Sequence, residues 1–174
     1  MDLQESQARR IITRHVWLAM GAGLLPLSVL DYAMITGVQL RMLRQLSRNY
    51  HVPFSRDRGK TIISALLGTV IPATLTNAVA SALKSVPLAG PVLGGISMAI
   101  FAGATTYATG KIFLQHFESG GTFLDLEPAT VRAYFRQEFE KGQTLAREMR
   151  SKAGVTPAPM AIAPTEPPSH VDPS

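Results

Sequence analysis

Cysteine is absent from this chain of 174 residues, and its absence excludes several kinds of chemistry. Thiol nucleophiles, disulfide frameworks and cysteine-ligated zinc sites all require that side chain. Histidine is scarce, and His15, His51, His116 and His170 lack the spacing of a metal site. His116 and Glu118 lie two residues apart, which on a helix directs their side chains to different sides. No nucleophile–base or carboxylate pair stands out, so we expect no enzyme activity, no catalytic residue, no metal and no cofactor.

Charge is nearly absent from the middle of the chain. Between Lys60 and Lys111 the only charged residue is Lys84, which divides two uncharged runs. At about 1.5 Å per residue, a helix of about 23 residues reaches roughly 34 Å. That length is enough to cross a hydrocarbon layer of about 30 Å. The pattern predicts a central apolar, Gly/Ala-rich helical hairpin over 61–110 that inserts in a membrane and turns near Lys84.

Neither uncharged run is a strong membrane span by itself. Proline, asparagine and small polar residues offset the leucine, isoleucine and valine of the first run, and the second has fewer large apolar residues. Small residues four apart make flat helix faces that pack closely in membranes. We therefore expect the runs to insert as a pair and to self-associate into a homo-oligomer. The predicted packing positions are Ser64, Gly68, Thr76, Ala80, Gly90, Gly94, Gly95, Ala99 and Gly103.

Positive charge is concentrated before the hairpin, in a chain whose formal net charge is +5. An amphipathic helix is predicted over 28–50, with Arg41, Arg44 and Arg48 three and four apart on one face. That face is either simply solvated, or held against acidic lipid headgroups or an acidic protein. The basic segments lack the interleaved aromatic residues of a single-strand binder, so nucleic acid is not an expected partner. The apolar side predicted to pack in the core contains Ile35, Met42, Leu43, Leu46 and Tyr50.

The lysines also predict a topology for the hairpin. Lys60 and Lys111 flank it as membrane-surface anchors, whereas the turn carries Lys84 alone. Because cytoplasmic flanks carry the excess of Lys and Arg, both termini are expected in the cytoplasm.

The segment before the basic helix is predicted to be helical as well. Its apolar stretch, 16–30, is short for a span, contains a proline and follows acidic residues, which argues against a signal peptide. We expect a helix that ends near Gly21–Gly23. Whether 16–30 is re-entrant, interfacial or packed on the domain stays open.

A final amphipathic helix is predicted over 126–152. Its aromatic-rich side is expected to pack back on the same domain, with docking on another protein as the alternative. Glu138 and Lys141 belong to its polar side. Residues 1–152 thus form a single predicted helical domain, and the proline-rich residues 153–174 form a predicted disordered tail.

Two stretches resemble a bacterial family. GAGLLPLSVLDYAMITGVQLRMLRQLSRNYHVPFS (21–55) and ISMAIFAGATTYATGKIFLQHFESGGTFLDLEP (96–128) are similar to the YcjF-like domain of unknown function that accompanies GTPases. The most specific part is the phrase QHFESGGTFLD. It begins with the family-motif residues Gln115, His116, Phe117, Glu118, Ser119, Gly120 and Gly121.

The resemblance implies a membrane-associated domain that is either fused behind a small GTPase-like domain or encoded separately. It implies no activity for particular residues. This sequence shows no complete phosphate-binding loop and no Asn-Lys-x-Asp guanine motif. We therefore expect any GTPase partner to act in trans.

The sequence as a whole predicts an all-α fold of helical hairpins flanked by amphipathic helices. The predicted function is that of a non-catalytic, membrane-associated scaffold or partner of a cytoplasmic GTPase. Two alternatives stay open: a soluble helical adaptor with 61–110 as its buried core, and a protein that remodels or permeabilises membranes.

Overall fold

The computed structural model of the protein describes residues 3–23, 30–71 and 98–153. In these stretches all regular secondary structure is helical, which confirms the predicted all-α class. The helices are α1 (Leu3–Ala22), α2 (Leu30–Asn49), α3 (Arg56–Leu67), α4 (Met98–Glu118) and α5 (Pro128–Lys152).

Helix α4 lies at the centre and packs against α5, α1 and α2. Much of its surface is alanine, glycine and threonine, so neighbouring helices approach closely, and buried residues occur around its circumference. A helix that is apolar all round needs burial on every side, and here other helices supply it. Within the described residues, no helix combines the length and the hydropathy needed to cross a membrane. The part of the predicted hairpin that falls in α4 is buried among the other helices.

Helices α1 and α2 run antiparallel, side by side. Where α1 begins and α2 ends, Gln4 Nε2 donates to the Asn49 carbonyl (2.7 Å) and Asn49 Nδ2 donates to the Gln4 carbonyl (3.0 Å). The end of α1 and the start of α2 consequently lie together at the opposite end of the pair.

Four helix ends meet there, at what we call the apolar end of the bundle. Gly23, which follows α1, lies against the first turn of α4. A Cβ built on Gly23 would be 2.8 Å from the Met98 carbonyl oxygen. Ile71, which follows α3, lines a groove with Ala33 of α2. Both apolar connections, from α1 to α2 and from α3 to α4, therefore leave the bundle at the same end.

The first uncharged run, 61–83, was predicted to form one helix, and the structure differs from this prediction. Helix α3 ends at Leu67, and the hydroxyl of Thr69 donates to a carbonyl of the last helical turn (2.6 Å). Pro72 follows, and a proline disfavours helical backbone at the residue before it, here Ile71. The continuous helix is thus interrupted after its first turns, and the rest of that run lies outside the described residues.

The aromatic side of α5 packs back on the bundle, which confirms the preferred interpretation of that helix. Phe135 and Phe139 are buried, and the Phe139 ring meets Phe101 of α4 edge-on at 5.8 Å. Gly142 lets α5 come so close that a Cβ on it would lie 2.9 Å from the Ala104 Cα. This contact fixes α5 on α4.

The two N-terminal predictions agree with the structure. Helix α1 ends at Ala22, near the expected Gly21–Gly23, and α2 occupies most of the predicted 28–50. The predicted apolar side of α2 is in the core. Its fully or nearly fully buried members are Ile35, Met42, Leu43 and Leu46, with Tyr50 partly buried against them.

Candidate functional site

The outer side of α1 combines arginines with exposed apolar side chains. Its inner side packs into the core through alanine, isoleucine, valine and methionine. Helical periodicity then turns Arg10 and Arg14 outward. Trp17 and Leu18, one turn further on, are 44% and 45% exposed. They border a shallow surface depression together with Arg9, Arg10, Thr13 and Arg14.

The outer side of α2 carries the three arginines predicted from spacing. Arg41, Arg44 and Arg48 are all exposed, because the positions between them are taken by core residues. The structure therefore places them on one solvent-facing side.

A buried histidine lies on α1, which packs against α2. The His15 side chain is buried, and its Nδ1 lies 2.8 Å from the Ile11 carbonyl oxygen. Burial lowers the pKa of His15, the hydrogen bond to Ile11 opposes that shift, and the charges of Arg41 and Arg14 lower the pKa further. The charge of Arg41 on α2 thus acts on a histidine of α1, the helix beside it.

We call this surface the basic face. Acidic groups offset little of its charge: Arg9 is paired with Glu5 at 2.6 Å, and Asp31 is the only acidic residue between Arg9 and Arg56. Such a face attracts anionic surfaces. Its members are Arg10, Arg14, Trp17, Leu18, Arg41, Arg44 and Arg48.

Sequence reasoning missed the α1 half of the basic face. Trp17 and Leu18 fall inside the apolar stretch 16–30, for which the sequence leaves re-entrant, interfacial and packed placements open. The signal that could have found them is the spacing of Arg10, Arg14 and Trp17, which recur at helical intervals on one side.

The predicted lysine anchors lie apart from the basic face. Lys60 is exposed on α3, four residues after the helix begins, and Lys111 is half-buried on α4. Neither stands at the boundary of an uncharged helix, because α3 begins before Lys60 and α4 continues past Lys111.

The predicted packing positions have different surroundings. Ala99 and Gly103 are buried on α4, and a Cβ on Gly103 would lie 2.7 Å from Met20 Cγ. Ser64 and Gly68 are exposed and line the groove between α2 and α3. The other predicted positions lie outside the described residues: Thr76, Ala80, Gly90, Gly94 and Gly95.

The family motif forms a helix stop and a fixed loop at the end opposite to the apolar end. Gly120 has φ +82°, a left-handed backbone suited to glycine. A Cβ on Gly121 would overlap the His116 ring. His116 Nε2 lies 2.9 Å from the Thr122 carbonyl oxygen and 3.4 Å from Asp125 Oδ1. Chiefly the Thr122 hydroxyl, and then its amide, lower the pKa of Asp125 to about 2.

The other motif residues either pack in the core or lie near the end of α4. Phe117 is buried in an aromatic cluster with Phe113 and others. Glu118 accepts a hydrogen bond from the Tyr50 hydroxyl at 3.1 Å, while Gln115 and Ser119 are exposed. These contacts give the motif a structural role.

One acidic residue is buried contrary to its prediction. Glu138 was expected on the polar side of α5, yet its side chain is 3% exposed and pairs with Lys141 Nζ at 2.6 Å. Burial, and then the charge of Glu138, raise the pKa values of Tyr107 and Tyr134. The Glu138 carboxylate can be buried on α5 because the exposed Lys141 ammonium pairs with it.

Comparison with known proteins identifies the family of this chain. No solved structure matches the chain. A protein named magnetosome membrane protein 22, from Magnetospirillum gryphiswaldense, is 38% identical over 146 residues, which is 83% of this chain and 75% of that protein. The family model described as a domain of unknown function, DUF697, matches residues 1–144. The resemblance found in the sequence is therefore confirmed, and the chain belongs to the DUF697 family.

Proposed function

We propose that this protein is a non-catalytic, membrane-associated helical protein of the bacterial inner membrane. The observation that carries the proposal is the basic face, whose exposed Trp17 and Leu18 lie close to the end where both apolar connections leave. The name of the magnetosome relative supports it. The bundle lies on the cytoplasmic side with both termini, because its arginines favour that side.

Chain length limits how the protein enters the bilayer. Between Ile71 and Met98 lie residues 72–97, and a full crossing takes about 20 residues. Two crossings would need about 40 residues, more than this connection has. A single crossing would put its ends on opposite sides, although α3 and α4 contact each other. We propose that the membrane-inserting part of the predicted hairpin is limited to 72–97, in place of two spans over 61–110.

Membrane extraction tests this insertion. Ala80→Arg and Gly94→Arg place a charge in the proposed inserted segment, at a cost of up to about 3 kcal/mol at a bilayer centre. Each is expected to release the protein from cell membranes in alkaline carbonate, whereas the wild type stays in the pellet. Ala133→Arg, on the exposed side of α5, is the matched control and should stay in the pellet. Carbonate release of the wild type would refute insertion.

The protein also self-associates through its small-residue helix faces, and the exposed Ser64 and Gly68 support this proposal.

The proposed partner is a cytoplasmic GTPase that acts in trans, and the family resemblance supports this. A GTPase encoded beside this gene should hydrolyse GTP at a different rate when the reconstituted protein is added. An unchanged rate and no binding would remove the GTPase from the proposal.

A second candidate is the helical adaptor. The observation that favours it is the burial of α4 among α1, α2 and α5, which gives residues 98–110 a protein environment. A monodisperse, detergent-free preparation that leaves vesicles untouched would select the adaptor over the membrane protein.

A further inference from the structure

We propose that the α1 half of the basic face, formed by Arg10, Arg14, Trp17 and Leu18, is a docking surface for anionic phospholipid headgroups. The inference rests on the proposed membrane association and names where and how the bilayer surface is recognised.

The first argument is the exposure of apolar groups beside uncompensated charge. Trp17 and Leu18 are adjacent and nearly half exposed, although the opposite side of α1 is well packed. In the described part of the chain, Arg10 and Arg14 make no ion pair, whereas Arg9 is held by Glu5. An indole with a guanidinium one turn away suits the bilayer interface, where the ring lies among headgroups and the cation meets phosphate.

The second argument is the order of these groups along the helix. Measured from Gly23 at the apolar end, Leu18 and Trp17 are about 8 and 9 Å away at 1.5 Å per residue. Arg14 is about 14 Å away and Arg10 about 20 Å away on the same scale. Leu18 and the Trp17 indole, and then the arginines, follow the order of interface and phosphates.

Lipid fits this surface better than other anionic partners do. A protein partner needs charge complementarity but no depth-ordered sequence of apolar, aromatic and cationic groups. A single-stranded nucleic acid needs several stacking rings, and the described basic face has one. Arg41 is exposed on the neighbouring helix α2 and adds to the positive surface.

The chain carries its own probe, because Trp17 is its only tryptophan. The full-length protein is mixed with vesicles of phosphatidylcholine alone or with phosphatidylglycerol added, and its emission and its sedimentation are both measured. Anionic vesicles should shift Trp17 emission to the blue, and brominated acyl chains should quench it. Phosphatidylcholine vesicles should give a much smaller shift at the same lipid concentration.

A double substitution with a matched control tests the arginines. Arg10→Gln with Arg14→Gln should weaken binding to anionic vesicles roughly five-fold for each charge removed. Arg132→Gln with Arg147→Gln removes the same charge from the exposed side of α5 and should bind like the wild type. Far-ultraviolet circular dichroism checks that each variant keeps its helices. Equal weakening in both pairs would refute the assignment to α1.

The outcomes separate this inference from the proposed function. Sedimentation with vesicles while Trp17 emission stays unchanged would refute the α1 surface and leave membrane association standing. Failure to sediment with any vesicle would refute both. A blue shift with polyglutamate or oligonucleotide but not with anionic vesicles would also overturn the lipid assignment, in favour of an acidic macromolecule.

Discussion

At the residue scale, the most informative side chain is His15. It is buried, its Nδ1 contacts the Ile11 carbonyl and its Nε2 has no partner among the described residues. A proton on this ring would add a third positive charge beside Arg14 and Arg41, in a place with little water. The ring is therefore neutral in the folded protein at neutral pH.

Acid should consequently weaken the fold through His15. Its pKa is lowered in the folded state, so the unfolded chain binds the proton first. The free energy of unfolding should be unaffected above about pH 6.5 and fall below it, by up to about 1.4 kcal/mol per pH unit for one proton. Urea unfolding between pH 7.5 and 5 measures this slope.

Two histidine variants test whether His15 causes the loss of stability in acid. His15→Gln should flatten the slope between pH 6.5 and 5, whereas His51→Gln, in the exposed loop after α2, should keep it. If His15→Gln retains the full slope, another group is responsible for the acid sensitivity.

At the element scale, close helix contact depends on whether a glycine faces backbone, a movable side chain or open space. Gly142 faces the Ala104 backbone, Gly103 faces the flexible Met20 side chain, and Gly37 faces nothing within 4 Å. Of these three glycines, Gly142 at the α4–α5 contact has the least tolerance for a methyl group.

Alanine substitutions should separate these cases. Gly142→Ala should lower the free energy of unfolding by about 1–3 kcal/mol, since α5 must move away from α4. Gly37→Ala should raise it by up to about 1 kcal/mol, because alanine favours the helix and meets no neighbour. Urea denaturation of both variants measures the difference, and a neutral Gly142→Ala would mean that the two helices are not in tight contact.

The elements also show what the sequence could and could not predict. Helices α2 and α5 have one apolar side each, so periodicity located them and their core residues. Helix α4 is apolar on all sides, and composition alone cannot distinguish burial in protein from burial in lipid. The helices packed around α4 decide between the two environments. They turn their arginines outward, and this arrangement exists only in the folded structure. The α1 half of the basic face was missed for a related reason, since an exposed Trp17 and a buried one look alike in sequence.

At the scale of the whole molecule, the arrangement of helix ends has a mechanical consequence. The apolar end and the motif loop lie at opposite ends of α4, whose 21 residues extend about 31 Å. With the apolar end on the bilayer, the bundle is a spacer that holds the loop around His116 and Asp125 at a fixed height. A partner that binds this loop would then meet it at one fixed distance from the lipid.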